Sequence, residues 1–222
     1  MLVYTLKYFT SDSELMLNIS RILSKLTLHA DCCYELAKHE SCFKSFIKLM
    51  IKHDAKQDLI VRVAFVIGNL TSRLEESRLK YFNEKYSIDT LINLLKYYIN
   101  QPSSSSSAKN ETSPANSSSL IACEPNECED VLIKLIRVLA NLALNETIGT
   151  SLASRQDLLD QLLIILDSAT FNCEELILDS IITINNLTFY ESDLINSNSQ
   201  RIVDCKSSSS SPVYSNIQQQ KK

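Results

Sequence analysis

Glycine is nearly missing from this chain: its 222 residues include only Gly68 and Gly149. So little glycine leaves almost no material for β-hairpin turns or phosphate-cradling loops, whereas helices joined by short polar corners need few glycines. Tryptophan is absent, and the three histidines all precede residue 54. Without a glycine-rich turn or a nucleophile elbow, the inventory for catalysis is poor, and no set of convergent polar groups is nominated. The expectation is a protein that is not an enzyme and has no cofactor and no small-molecule substrate. Basic clusters are also missing. The formal charge is −4 with Lys and Arg scattered, so no face is marked for neutralising phosphates and nucleic acid is not an expected partner. No apolar run approaches the roughly 20 residues that a membrane-spanning helix needs, so no membrane partner is expected either.

The cysteines form no framework. Seven of them (Cys32, Cys33, Cys42, Cys123, Cys128, Cys173, Cys205) are an odd number without regular spacing. The opening Met1-Leu2-Val3-Tyr4-Thr5-Leu6-Lys7 has neither the basic start nor the apolar run of a secretory signal. Reduced thiols in the cytoplasm are the expectation. His29, Cys32, Cys33, His39 and Cys42 are zinc-ligand types, but adjacent cysteines match no paired-cysteine knuckle, and small thiols at a helix corner are core residues more often than ligands. Cys123 and Cys128 are expected to be free surface thiols in a loop. The paired acids Glu75-Glu76 and Glu174-Glu175 read as solvated helix starts.

What the chain does have is a repeat. Its strongest copy is Val61-Arg62-Val63-Ala64-Phe65-Val66-Ile67-Gly68-Asn69-Leu70-Thr71. Weaker copies run from Ser20 to Thr27, from Ile136 to Ala143 and from Ile182 to Thr188. Aligned on Asn69, they bring Lys25, Asn69, Asn141 and Asn186 into register, with separations of 44, 72 and 45 residues. The middle separation is too long by 28, the length of the serine-heavy stretch Gln101 to Cys128. A helical period near 44 belongs to the armadillo and HEAT type of solenoid.

Taken in order, residues 1–13 are a leader too short for a helix pair. Leu15 to Leu28 is then the last helix of an incomplete repeat, so the solenoid starts in mid-repeat, as a fragment of a longer protein would. The first full repeat has helices from Asp31 to Lys38, from a Ser41 cap through Lys52, and from about Lys56 to Thr71; Asp31 is the expected cap of the first. The last of these is apolar nearly all round, as an inner helix must be. The second repeat comprises Leu74 to Asn83, Ser87 to about Ile99 and, after the insertion, a third helix to about Leu144. The third repeat comprises Ile148 to Ser154, Gln156 to Asp167 and Cys173 to Thr188. Armadillo repeats therefore occupy 14–100 and 129–190, interrupted by a disordered insertion at 101–128 and followed by a disordered tail at 191–222 without a polar capping repeat.

At the Asn-Leu-Thr signature the chain resembles armadillo repeats, whose three-helix unit ends in a long helix carrying a small-Asn-Leu-small motif. The resemblance implies an all-α right-handed armadillo-repeat superhelix, an α-solenoid with its third helices on the concave side. Val61 to Thr71, Glu129 to Asn141, Cys173 to Leu176 and Ile184 to Leu187 are more specifically similar to a family of armadillo proteins associated with ciliary and flagellar axonemes. That likeness implies a non-catalytic scaffold binding protein partners, among them axonemal or ciliary-transport components, in sperm flagella as well as cilia. A general cytoplasmic adaptor for an extended peptide is the competing expectation. In armadillo proteins the inner-helix asparagine can hold a peptide backbone, because a carboxamide offers both donor and acceptor. By that resemblance the protein-binding residues are Asn69, Asn141 and Asn186, with Phe65 as apolar anchor, Arg137 as a contact for an acidic partner and Arg62 extending the face. The alternative is that each asparagine bonds only to the neighbouring repeat. The importin type of groove places a tryptophan four residues before the asparagine; here the residues are Phe65, Arg137 and Ile182, which argues against a lysine-rich import signal as ligand.

Overall fold

The computed structural model describes residues 2–101, 127–167 and 173–190, and all regular structure among them is helical. The helices are α1 (Leu2–Tyr8), α2 (Ser13–Leu26), α3 (Ala30–Lys38), α4 (Cys42–Lys52), α5 (Gln57–Arg73), α6 (Glu75–Asn83), α7 (Ser87–Ile99), α8 (Glu127–Leu142), α9 (Glu146–Ala153) and α10 (Gln156–Asp167). A further helix, α11, spans 174–190. The expected disordered tail at 191–222 lies outside the described residues, as does the insertion apart from Gln101 and the residues that open α8.

Short-range chemistry sets where these helices begin. The Asp12 carboxylate accepts the Leu15 N–H at 3.0 Å, which satisfies one of the unpaired donors at the start of α2. Asn145 does the same for α9, accepting the Ile148 N–H at 3.2 Å while its amide donates to Glu75 Oε1 at 3.0 Å. That cap starts α9 two residues earlier than the apolar pattern alone predicts. At α3 the expected cap is corrected. His29 precedes the helix and its carbonyl accepts the Cys33 N–H at 3.1 Å, while Asp31 lies inside the first turn, where a carboxylate still meets the helix dipole favourably. Residues 2–8, expected to be a bare leader, form a helix whose Val3 and Leu6 are buried.

Packing follows the threefold grouping. The third helices α2, α5 and α8 stack side by side, the second helices α1, α4, α7 and α10 form a parallel row, and the short α3 and α6 bridge to α5 and α8. α5 lies between two neighbours of its own kind and buries Leu59, Ile60, Val63, Ala64, Val66, Ile67 and Leu70. At about 1.5–3 kcal/mol for each large aliphatic side chain, this stripe outweighs any single polar contact in the repeat. The core is continuous from Leu6 to Leu187. It also takes up the cysteines of the histidine–cysteine stretch. Cys33 Sγ donates to the Thr27 carbonyl at 3.0 Å, and burial pushes the Cys42 thiol up to about 12. Cys128 is likewise no loop thiol; it sits in the first turn of α8, half-buried, where Gln57 Nε2 approaches its sulfur at 3.2 Å. Cys123 lies outside the described residues.

Low glycine has a local cost. The corner between α6 and α7 needs one left-handed residue, and that residue is Tyr86, at φ 67°. A side chain with a Cβ pays about 1–2 kcal/mol for that conformation.

Candidate protein-interaction face

Every third helix carries its ladder residue at the same register, and the structure puts the three asparagines against the repeat before them. Asn69 Nδ2 donates to Thr27 Oγ1 at 3.0 Å, Asn141 Nδ2 to the Gly68 carbonyl at 3.1 Å and Asn186 Nδ2 to the Ala140 carbonyl at 3.4 Å. In the last two cases the acceptor is the residue just before the previous ladder asparagine. One donor of each carboxamide is therefore engaged in holding the stack together. The side chains remain half-buried, and among the described residues no donor reaches any of the three Oδ1 atoms. A carboxamide in that state retains an acceptor and a second N–H, the two functions a peptide group needs.

The other expected residues divide. Phe65 is half-buried and Arg62 is exposed on the same helix, without an ion pair among the described residues. Arg137 is already countered: its guanidinium lies 2.7 Å from Glu175 Oε1 and 3.1 Å from Asp179 Oδ2, with Lys134 Nζ 3.8 Å from the same Glu175 oxygen. The acids at the start of α11 thus tie α8 to α11 rather than standing only in solvent. An acidic partner would have to compete with two carboxylates of this chain for Arg137.

Apolar residues beside the ladder were not nominated from the sequence. Leu28, Leu144 and Phe189 are 56%, 54% and 73% exposed. Each stands three residues after a ladder position, Lys25, Asn141 or Asn186, so one turn places it next to that residue. Their common offset was the available signal, hidden because an apolar residue beyond an apolar helix looks like more core. Around Asn186, Leu144 and Phe189 line an open cleft of about 310 Å³ together with Asn185 and Tyr190.

The chain is similar to armadillo repeat-containing protein 2 of Bos taurus, at 40% identity over 183 residues covering 81% of this chain and 20% of the relative. The Homo sapiens protein of the same name is 37% identical over 187 residues, covering 84% of this chain and 21% of the relative, and that of Mus musculus is 38% identical over 182 residues, covering 81% and 20%. It belongs to the armadillo-repeat family. The armadillo chain spans about a fifth of the length of these curated relatives. No family model matches it, and no solved structure does. The likeness and the stacked three-helix units agree on the architecture: an armadillo α-solenoid, the kind of non-enzymatic scaffold on which protein contacts are built.

Proposed function

We propose that this armadillo solenoid is a non-catalytic scaffold that holds an extended segment of a partner protein along its row of third helices. The observation that carries the reading is the register of the face. Asn69, Asn141 and Asn186 offer unengaged carboxamide oxygens, and exposed apolar residues stand one turn after three of the four ladder positions: Leu28 after Lys25, Leu144 after Asn141 and Phe189 after Asn186. Repeated side-chain acceptors for backbone N–H groups give an extended chain direction and spacing, and interleaved apolar residues supply the area that dominates binding energy. Phe65 and Arg62 extend the face between the first and second asparagines, and Arg137 is the group an acidic partner would capture. The likeness to armadillo repeat-containing protein 2, with the sequence resemblance to axoneme-associated armadillo proteins, supports a role in assembling or transporting axonemal components. The protein would then work in the cytoplasm and at the base or shaft of cilia and sperm flagella.

Two measurements test this. A fluorescently tagged copy expressed in ciliated cells is expected to enter cilia or gather at their bases; uniform cytoplasmic signal through ciliogenesis would leave the general-adaptor reading in its place. Capture of partners from the same cells, compared between wild type and Asn69→Ala/Asn141→Ala, is expected to show a loss while the helical circular-dichroism spectrum is retained. Undiminished capture by the folded double variant would remove the asparagine face from the mechanism.

A further inference from the structure

Between α1 and α4, neighbours in the row of second helices, lies a recessed cavity of about 150 Å³ lined by Lys7 and Thr10 on one side and by Ser41, Lys44, Ser45 and Lys48 on the other. Both walls are helices packed on each other, so the cavity is complete whatever precedes or follows the chain. The apolar pattern of α4 decides where its lysines go. Phe43, Phe46, Ile47 and Met50 turn into the core, which leaves Lys44, Lys48 and Lys52 four residues apart on the outer face. Like charges at that spacing repel, and no carboxylate among the described residues pairs with Lys7, Lys44 or Lys48. The rim is held in place. His53 Nε2 donates to the Thr10 carbonyl at 2.7 Å and Lys52 Nζ to Ser11 Oγ at 2.8 Å, so the loop after α1 is tied across α4. Inside, Ser45 is 3% exposed, and its hydroxyl bonds no group among the described residues. The buried hydroxyls of Thr27, Thr71 and Ser180 instead turn back to carbonyls one turn earlier.

We propose that this cavity receives the phosphoryl group of a phosphorylated serine or threonine in a partner protein. Such a group brings a charge of about −1.5 to −2 and three acceptor oxygens. Lys7, Lys44 and Lys48 supply ammonium donors that answer the charge, and the Ser45 hydroxyl is a donor that only an acceptor reaching inside can use. A carboxylate carries less charge and fewer oxygens, and would leave part of this donor set unmet. An anionic membrane is the less suited source of phosphate, because it acts on the whole molecule, whose net charge of −4 opposes approach. A single phosphoryl group meets only the walls of one recess. The site lies on the row of second helices, not on the third helices that carry the asparagines, so it goes beyond the asparagine face and does not depend on it.

The probe is a fluorescent peptide pool of degenerate sequence with one central phosphoserine, set against the same pool with serine, inorganic phosphate, and vesicles rich in phosphatidylserine. Fluorescence anisotropy with the 222-residue chain is expected to show the phosphoserine pool binding at least about tenfold more tightly than the serine pool, the difference being charge-assisted bonds. Inorganic phosphate is expected to compete only at much higher concentration, since it lacks the flanking peptide. Lys44→Gln/Lys48→Gln should remove most of the preference, and Ser45→Ala should weaken it severalfold. Both should keep the helical spectrum, because the lysines are exposed and the Ser45 hydroxyl has no partner to lose. Lys7→Gln, on the opposite wall, provides a second test should a change in α4 disturb that helix. Asn69→Ala/Asn141→Ala should leave the preference unchanged, which separates this site from the ladder. Equal binding of the two pools, including none by either, overturns the proposal. So does a folded lysine variant that binds as wild type, inorganic phosphate that matches the phosphoserine pool, or vesicles that capture the chain more strongly than that pool.

Discussion

The two glycines show how differently one residue type can be held. Gly68 sits inside α5, where an added methyl group would meet only Val138 at ordinary contact distance. Gly149 in α9 has no such room, since its Cβ would overlap the ring of Tyr190 at the end of α11. Gly68→Ala is therefore expected to stabilise the protein by about 0.5–1 kcal/mol, the gain in helix propensity. Gly149→Ala is expected to destabilise it by about 1–3 kcal/mol, because Tyr190, 8% exposed, must leave its site. Thermal melts of the pair measure the contrast, and opposite signs are the required result. Both glycines are plain in the sequence, yet neither the room beside one nor the ring beside the other can be read there, because Val138 and Tyr190 are brought in from other helices.

At the scale of elements, the corner before α10 is held by charge. Arg155 Nε and Nη2 bond both oxygens of Asp157 at 2.9 and 3.0 Å, and the same guanidinium reaches Asp89 of α7 at 2.9 Å. The Arg155 hydrogen bond holds the Asp157 carboxyl at about 2, below its ordinary value of 3.8, with the charges of Arg155 and Lys96 adding to it. A carboxyl whose folded value is depressed contributes stability that is complete above the unfolded value and disappears as pH falls through the folded one. The contribution of this corner is thus expected to fade between about pH 4 and pH 2, and to be small, because the Asp157 side chain is 37% exposed. Denaturant titrations from pH 6 to pH 2 should find wild type losing more stability in that window than Arg155→Met. Equal losses would show that the pair does not couple α10 to α7.

For the whole molecule, stability is a sum of repeats and of the seams between them, and the asparagine bonds lie in the seams. Asn141→Ala removes the donor to the Gly68 carbonyl, a loss expected to cost about 0.5–1.5 kcal/mol. Because α5 and α8 also share a broad apolar contact, the change should lower the denaturation midpoint without splitting the transition. A biphasic curve would show instead that the seam depends on the carboxamide more than on its apolar surface.

The period near 44, the threefold grouping of helices and the inner position of α5 were all legible from residue order. Apolar spacing along one helix is a local property, and each unit repeats it. The register of Asn69, Asn141 and Asn186 was legible for the same reason. What each asparagine bonds to was not: only stacking brings Thr27, Gly68 and Ala140 within reach of a residue 42 to 73 positions later. Stacking likewise decided that Arg137 is matched by Glu175 and Asp179, that residues 2–8 earn a place as a helix by burying Val3 and Leu6, and that Leu144 and Phe189 face outward beside the ladder. A sequence pattern states which side of a helix is apolar, whereas the identity of the neighbour, and therefore which groups stay free to bind, depends on contacts between segments far apart in the chain.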